Sequence, residues 1–165
     1  MGAVNVDRWL PFFEPFFSSP ADTRSFVEPL ESLCLGDPRH QAKIMMHQTQ
    51  RLISLSDDLP QIRKDNEGLR LLFLLICAEN IAKLANKYDG ESQSRAYVRN
   101  FFSWFLSVED QRNMCVGMTH HDRRPMPLQQ AVDALYDVRC DVVHEGKYWG
   151  FHFHDGDTPM LNLTS

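Results

Sequence analysis

Apolar residues recur at helical spacing through most of the chain from Ala21 onward, and the stops between the periodic stretches predict a series of helices. Asp22 to Leu35 reads as a short helix closed by Gly36, which Pro29 must kink or split. Asp37 caps a second helix that opens on Pro38 and runs to about Asp58, with Ile44, Leu52 and Leu55 as its buried face. A third, Asn66 to Tyr88, holds the most apolar run, Leu69 to Ala78, and continues through Ile81 and Leu84 to a stop at Asp89-Gly90. Ser92 or Ser94 caps a fourth helix through Tyr97, Phe101, Trp104 and Phe105. A short helix over Glu109 to Met118 and an exposed loop from His120 to Pro125 lead into the last clear helix, Leu128 to Glu145.

The two ends differ in texture. Residues 1–20 crowd Trp9, Phe12, Phe13, Phe16 and Phe17 among Pro11, Pro15 and Pro20. Prolines so close together prevent a long regular helix, and the rings are costly to leave in water, so this arm is expected to pack over the helices or across a subunit contact. Beyond Gly146, aromatic and polar residues alternate on either side of Asp155 to Pro159, which predicts a small β-hairpin over 147–165. The expected architecture is all-α, an antiparallel helix bundle over 21–146 with that hairpin as an appendage, a single domain overall.

Composition narrows the function. The chain has 165 residues, with 17 basic against 22 acidic side chains and a net charge of −5. Bulk coating of nucleic acid needs a surplus of Lys and Arg, so only a local basic site remains open. The four cysteines are spread without a CxxC pair, which fits free thiols in a reducing cytoplasm. Met1 to Val6 lacks a basic region followed by an apolar stretch, so neither export nor a lipid anchor is expected. Leu69 to Ala78 contains Arg70 and is about half the ~20 residues a membrane helix needs.

The last helix is the most informative segment. At about 100° per residue, Ala131, Leu135, Val138 and Val142 form an apolar stripe, flanked by Arg139, with Asp137, Cys140 and Asp141 on the wetter face. His144 lies about 140° around from Arg139, so an undistorted helix does not make them neighbours. Either the last turn is loosened near Gly146, or the two act around a shared ligand.

Arg139, four intervening residues and His144, preceded by Leu135-Tyr136 and followed by Glu145-Gly146, resemble the signature of the HEPN superfamily of small helical bundles. The resemblance covers the helix pattern from Asp37 to Gly146 and, as residues, only the final helix. It departs at Cys140, where many active members carry Asn, Asp or His. It implies metal-independent RNA cleavage, without cofactor, that leaves a 2′,3′-cyclic phosphate. His is the side chain whose ordinary pKa lies nearest neutrality, so His144 would take the 2′-hydroxyl proton while Arg139 binds the scissile phosphate. Asp141 would orient the imidazole from one turn earlier, and Glu79 is the secondary acidic candidate. The resemblance also implies a cytoplasmic homodimer whose two final helices meet in one cleft. Its non-catalytic form would be a scaffold that holds a nucleotide or a partner protein such as a cognate antitoxin.

Plainer structural roles compete with each assignment. His144 suits a helix C-terminus as a cation, Arg139 can pair with an acidic neighbour, and Glu79 can face solvent. Arg39, Lys43, His47 and Arg51 follow at i, i+4 steps and either track a nucleic-acid backbone or form a solvated face. His152 and His154, with Asp155 and Asp157, offer a metal site with His144 or the His120-His121 loop, although their spacing fits no zinc signature and the leading expectation is no metal.

Overall fold

Helix starts follow the local chemistry of the chain in the computed structural model, which describes residues 6–62, 67–86, 93–118 and 126–147 together with Phe151 and Phe153. Ser19 accepts the Asp22 N–H at 3.2 Å and donates to the Asp22 carboxylate at 2.7 Å, with Pro20 at the first helical position. Ser107 and Asp110 repeat the arrangement at 3.0 and 2.7 Å. Each such cap is worth about 1 kcal/mol. The elements are α1 (Leu10–Phe13), a 3-10 turn (Glu14–Phe16), α2 (Pro20–Glu31), α3 (His40–Ile62), α4 (Glu67–Ala85), α5 (Ser94–Trp104), α6 (Val108–Gly117) and α7 (Leu128–Glu145). The fold is all-helical among the described residues. Its contacts divide it into two units, Met1–Arg51 and Leu52–Ser165, with the division inside α3.

In the first unit the aromatic arm is part of the core. Pro11 and Pro15 sit where short helices tolerate a missing N–H, and the turns they allow bury Trp9 and Phe13 beside Val27 and Met46. Helix α2 ends at Glu31 rather than continuing to Leu35. The Lys43 ammonium supplies donors to the Glu31 and Leu33 carbonyls at 2.5 and 3.2 Å, and Gly36 turns the chain at φ +100°. Asp37 then caps the next segment through the Arg39 N–H at 2.7 Å. The buried residues of α3 are Met46 and Ser56, whereas Ile44 and Leu52 are half-buried and Leu55 is 42% exposed. Apolar spacing alone misplaced this face, because Ser56 is drawn in by donating to the Arg70 carbonyl at 3.3 Å.

The second unit packs α4, α5 and α7 around Leu71, Leu75, Val98, Ala131, Val132, Leu135 and Tyr136, with Met118 and Met126 closing one side. Helix α4 buries residues on several faces, as its unbroken apolar run demands. Arg95 pairs with Asp137 and Arg99 with Asp133, so rising numbers on α5 meet falling numbers on α7 and the two helices are antiparallel. Burying one of these aliphatic side chains contributes about 1.5–3 kcal/mol. Phe151 joins this core, and the Phe153 N–H donates to Glu67 at 2.5 Å. The expected β-hairpin lies mostly outside the described residues. Neither Phe151 nor Phe153 is in a strand, and no strand occurs among the described residues.

Candidate functional site on the last helix

Helix α7 is regular to Glu145, and Gly146 ends it in the left-handed conformation at φ +66°. Its N–H and that of Lys147 both turn back to the Asp141 carbonyl, the latter at 3.2 Å. A glycine is required there because a side chain at that φ is strained. Of the two alternatives, the loosened last turn near His144 does not occur. Arg139 and His144 therefore lie on one continuous helix, where five residues at about 100° each set them about 140° apart rather than side by side.

Their surroundings differ as well. His144 is exposed, beside a Glu145–Lys147 ion pair that holds the Glu145 carboxyl below its usual range. Asp141 is exposed one turn earlier. Arg139 is half-buried with its guanidinium 5.3 Å from the Tyr136 ring centre, and no carboxylate among the described residues pairs with it. Cys140, expected on the wetter face, instead packs half-buried against the core.

Asp133 and Asp137 of α7, about 120° and 160° around the helix from Arg139, pair with α5. Arg99 grips Asp133 with two hydrogen bonds at 2.6 and 2.7 Å, which raises the Arg99 pKa. Arg95 donates to Asp137 at 2.5 Å and approaches Asp133 at 3.8 Å. Its guanidinium also lies 4.8 Å from the Tyr136 ring centre. Beyond Arg99 a shallow groove of about 450 Å³ runs between the helices, lined by Asn100, Ser103, Leu128, Gln129 and Val132.

Glu79 is 7% exposed and not solvent-facing. It accepts from Ser94 at 2.6 Å and pairs with Lys83 at 2.5 Å, which ties α4 to the start of α5. In the cationic row, Lys43 and His47 are held between protein groups, whereas Arg39 and Arg51 are exposed. Arg39 pairs with Asp37 at 3.2 Å, Lys43 caps α2, and the Arg51 Nε donates to the His47 carbonyl at 3.3 Å. His47 meets Glu31 at 2.6 Å and stacks on Trp9 at 4.3 Å. Among the described residues no cluster of three or more His, Cys, Asp or Glu can hold a metal, and no helix is long and apolar enough to cross a membrane. His120, His121, His152, His154, Asp155 and Asp157 lie outside the described residues.

Arg95 was not singled out from sequence. Its signal was present as Arg95-x3-Arg99 opposite Asp133-x3-Asp137, two complementary i, i+4 ladders that become visible only once α5 and α7 are known to be adjacent. Compared with known proteins, the chain matches no family model, no curated protein and no solved structure.

Proposed function

We propose that the chain is a HEPN-like RNA-binding protein that cleaves RNA without a metal, using Arg139 of one protomer and His144 of its partner in a homodimer. The observation that carries this is the state of α7: Arg139 is a half-buried cation with no carboxylate partner among the described residues, and His144 is an exposed imidazole on a regular helix end. Arg139 binds the phosphodiester and offsets charge in the transition state. His144 accepts the 2′-hydroxyl proton. The 2′-oxygen to phosphorus bond forms as the bond from phosphorus to the 5′-oxygen breaks. The products are a 2′,3′-cyclic phosphate and a 5′-hydroxyl that takes up a proton. The angle of about 140° between the two side chains is the reason the site is assigned across two copies.

Incubation with structured RNA in EDTA is expected to yield cyclic-phosphate ends, and Arg139→Ala and His144→Ala are each expected to abolish them. Mixing the two dead variants should restore part of the activity, because a mixed dimer regains one intact pair. Metal-dependent products, or cleavage untouched by His144→Ala, would sink the mechanism.

A second function, a non-catalytic scaffold holding a nucleotide or a partner protein, is favoured by Cys140, which packs against the core where active relatives place a polar residue. RNA binding without cleavage under these conditions would select it.

A further inference from the structure

Tyr136 is only 8% exposed, yet two of the groups that lie against it are guanidiniums. On the helical wheel Asp133 and Asp137 lie about 60° and 100° to one side of Tyr136, and Arg139 lies about 60° to the other. Arg95, drawn to those aspartates, therefore flanks the ring opposite Arg139. We infer that Arg95, Tyr136 and Arg139 form one phosphate-binding site, in which a buried aromatic ring holds two guanidiniums apart, one for each of two neighbouring phosphates of single-stranded RNA. The inference rests on the phosphate-binding role given to Arg139 and adds a second cation from a different helix.

Charge and hydrogen-bond capacity support it. Arg95 and Arg99 pair with Asp133 and Asp137, and Arg139, on the other side of Tyr136, adds a third cation, so this patch has one cation more than carboxylates within a chain of net charge −5. Because Arg99 engages both oxygens of Asp133, Arg95 is left with one close hydrogen bond, to Asp137. A guanidinium has five N–H donors, so most of those on Arg95 remain for a ligand. Its side chain is 41% exposed and open to one. The stacking on Tyr136 limits the side-chain freedom lost when a phosphate binds, which favours Arg over Lys at both positions.

Binding of a labelled single-stranded oligoribonucleotide, measured on the His144→Ala protein in EDTA across a salt series, tests the site without consuming the RNA. Arg95→Gln and Arg139→Gln should each weaken binding about tenfold. Each should also flatten the slope of log affinity against log salt by about 0.7, the loss of one phosphate contact. Tyr136→Phe should bind as the parent does, whereas Tyr136→Leu should follow Arg139→Gln. Asp137→Asn releases Arg95 and should tighten binding about two- to fivefold, while Glu14→Gln, an equal change in net charge, should not. Arg95→Gln with an unchanged salt slope, or Asp137→Asn no tighter than Glu14→Gln, would show Arg95 to be only a structural strut and overturn the inference. Inorganic pyrophosphate serves as the second probe. Arg95-dependent binding of pyrophosphate without RNA binding keeps the site and removes RNA as its ligand. Cleavage that persists in Arg95→Gln with full RNA affinity removes the site and leaves the nuclease standing. Binding of neither probe overturns the site.

Discussion

Helices α3 and α7 both carry basic side chains, at i, i+4 steps in α3 and about 140° apart in α7, and their surroundings are opposite. In α3, Lys43 reaches the carbonyls of Glu31 and Leu33, and His47 lies between Glu31 and Trp9. In α7, the Arg139 guanidinium lies against the Tyr136 ring with no carboxylate partner among the described residues, and His144 is exposed. The difference comes from what lies beside each cation. Beside α3 stands the end of α2, with unpaired carbonyls and the carboxylate of Glu31. In α7, Asp133 and Asp137 lie around the helix from Arg139 and pair with α5, and the residues three and four positions from Arg139 are Leu135, Tyr136, Val142 and Val143, none of them acidic. A row of cations is a ligand site only where the protein has not already supplied the anions.

The sharpest way to break this comparison is to delete one imidazole from each helix. His144→Ala should lower RNA cleavage by about 10²–10⁴-fold, the usual contribution of a general base, with the thermal midpoint unchanged. His47→Ala should do the reverse, retaining cleavage while lowering the midpoint, because it uncovers Trp9 and leaves Glu31 without its closest partner. Matched cleavage assays and thermal scans on the two variants decide it, and a loss of activity in His47→Ala alone would reverse the roles.

Next in size is Trp9→Ala, which empties the packing site shared with Phe13, Val27 and Met46 and should cost about 3–5 kcal/mol in denaturant unfolding. Lys43→Met keeps the aliphatic stem but removes the donors at the end of α2, for an expected loss of about 1–2 kcal/mol. Arg99→Gln in the second unit should cost about 1 kcal/mol or less, since the pair with Asp133 is partly open to solvent. If Lys43→Met instead left stability unchanged and weakened RNA binding, the row from Arg39 to Arg51 would be a nucleic-acid face.

Much of the helix order was legible because it rests on local chemistry. Asp37, Gly146 and the apolar run from Leu69 mark starts, stops and a buried segment in any context. The buried face of α3 was not, since Ser56 is held by the Arg70 carbonyl, a contact that no periodicity reports. Glu79 was misread for the same reason: a carboxylate at the end of an apolar run is buried here because Ser94 and Lys83 converge on it. Arg139 and His144 could be named from their spacing, but the divergence between them depends on α7 remaining regular to Glu145, and Arg95 depends on which helix lies beside α7.

The smallest effect concerns acid, and it separates the start of α3 from the end of α7. Asp37 is held below its ordinary value of 3.8 by hydrogen bonds from Arg39, and Glu145 below 4.5 by Lys147. A carboxylate with a depressed folded pKa binds fewer protons folded than unfolded, so its contribution to stability is present above the unfolded value and is lost as pH falls through the folded one. Thermal midpoints should therefore hold between pH 7 and about 5 as far as these two groups are concerned, and decline below about 4. Asp37→Asn should show a shallower decline than the parent, with no change in the NMR signals of His144. Glu145→Gln should also flatten the decline, but it removes the ion pair that closes the last turn of α7 and should broaden the His144 ring signals at neutral pH. Equal behaviour of the two variants at His144 would mean that the end of α7 is no more sensitive to its charges than the start of α3.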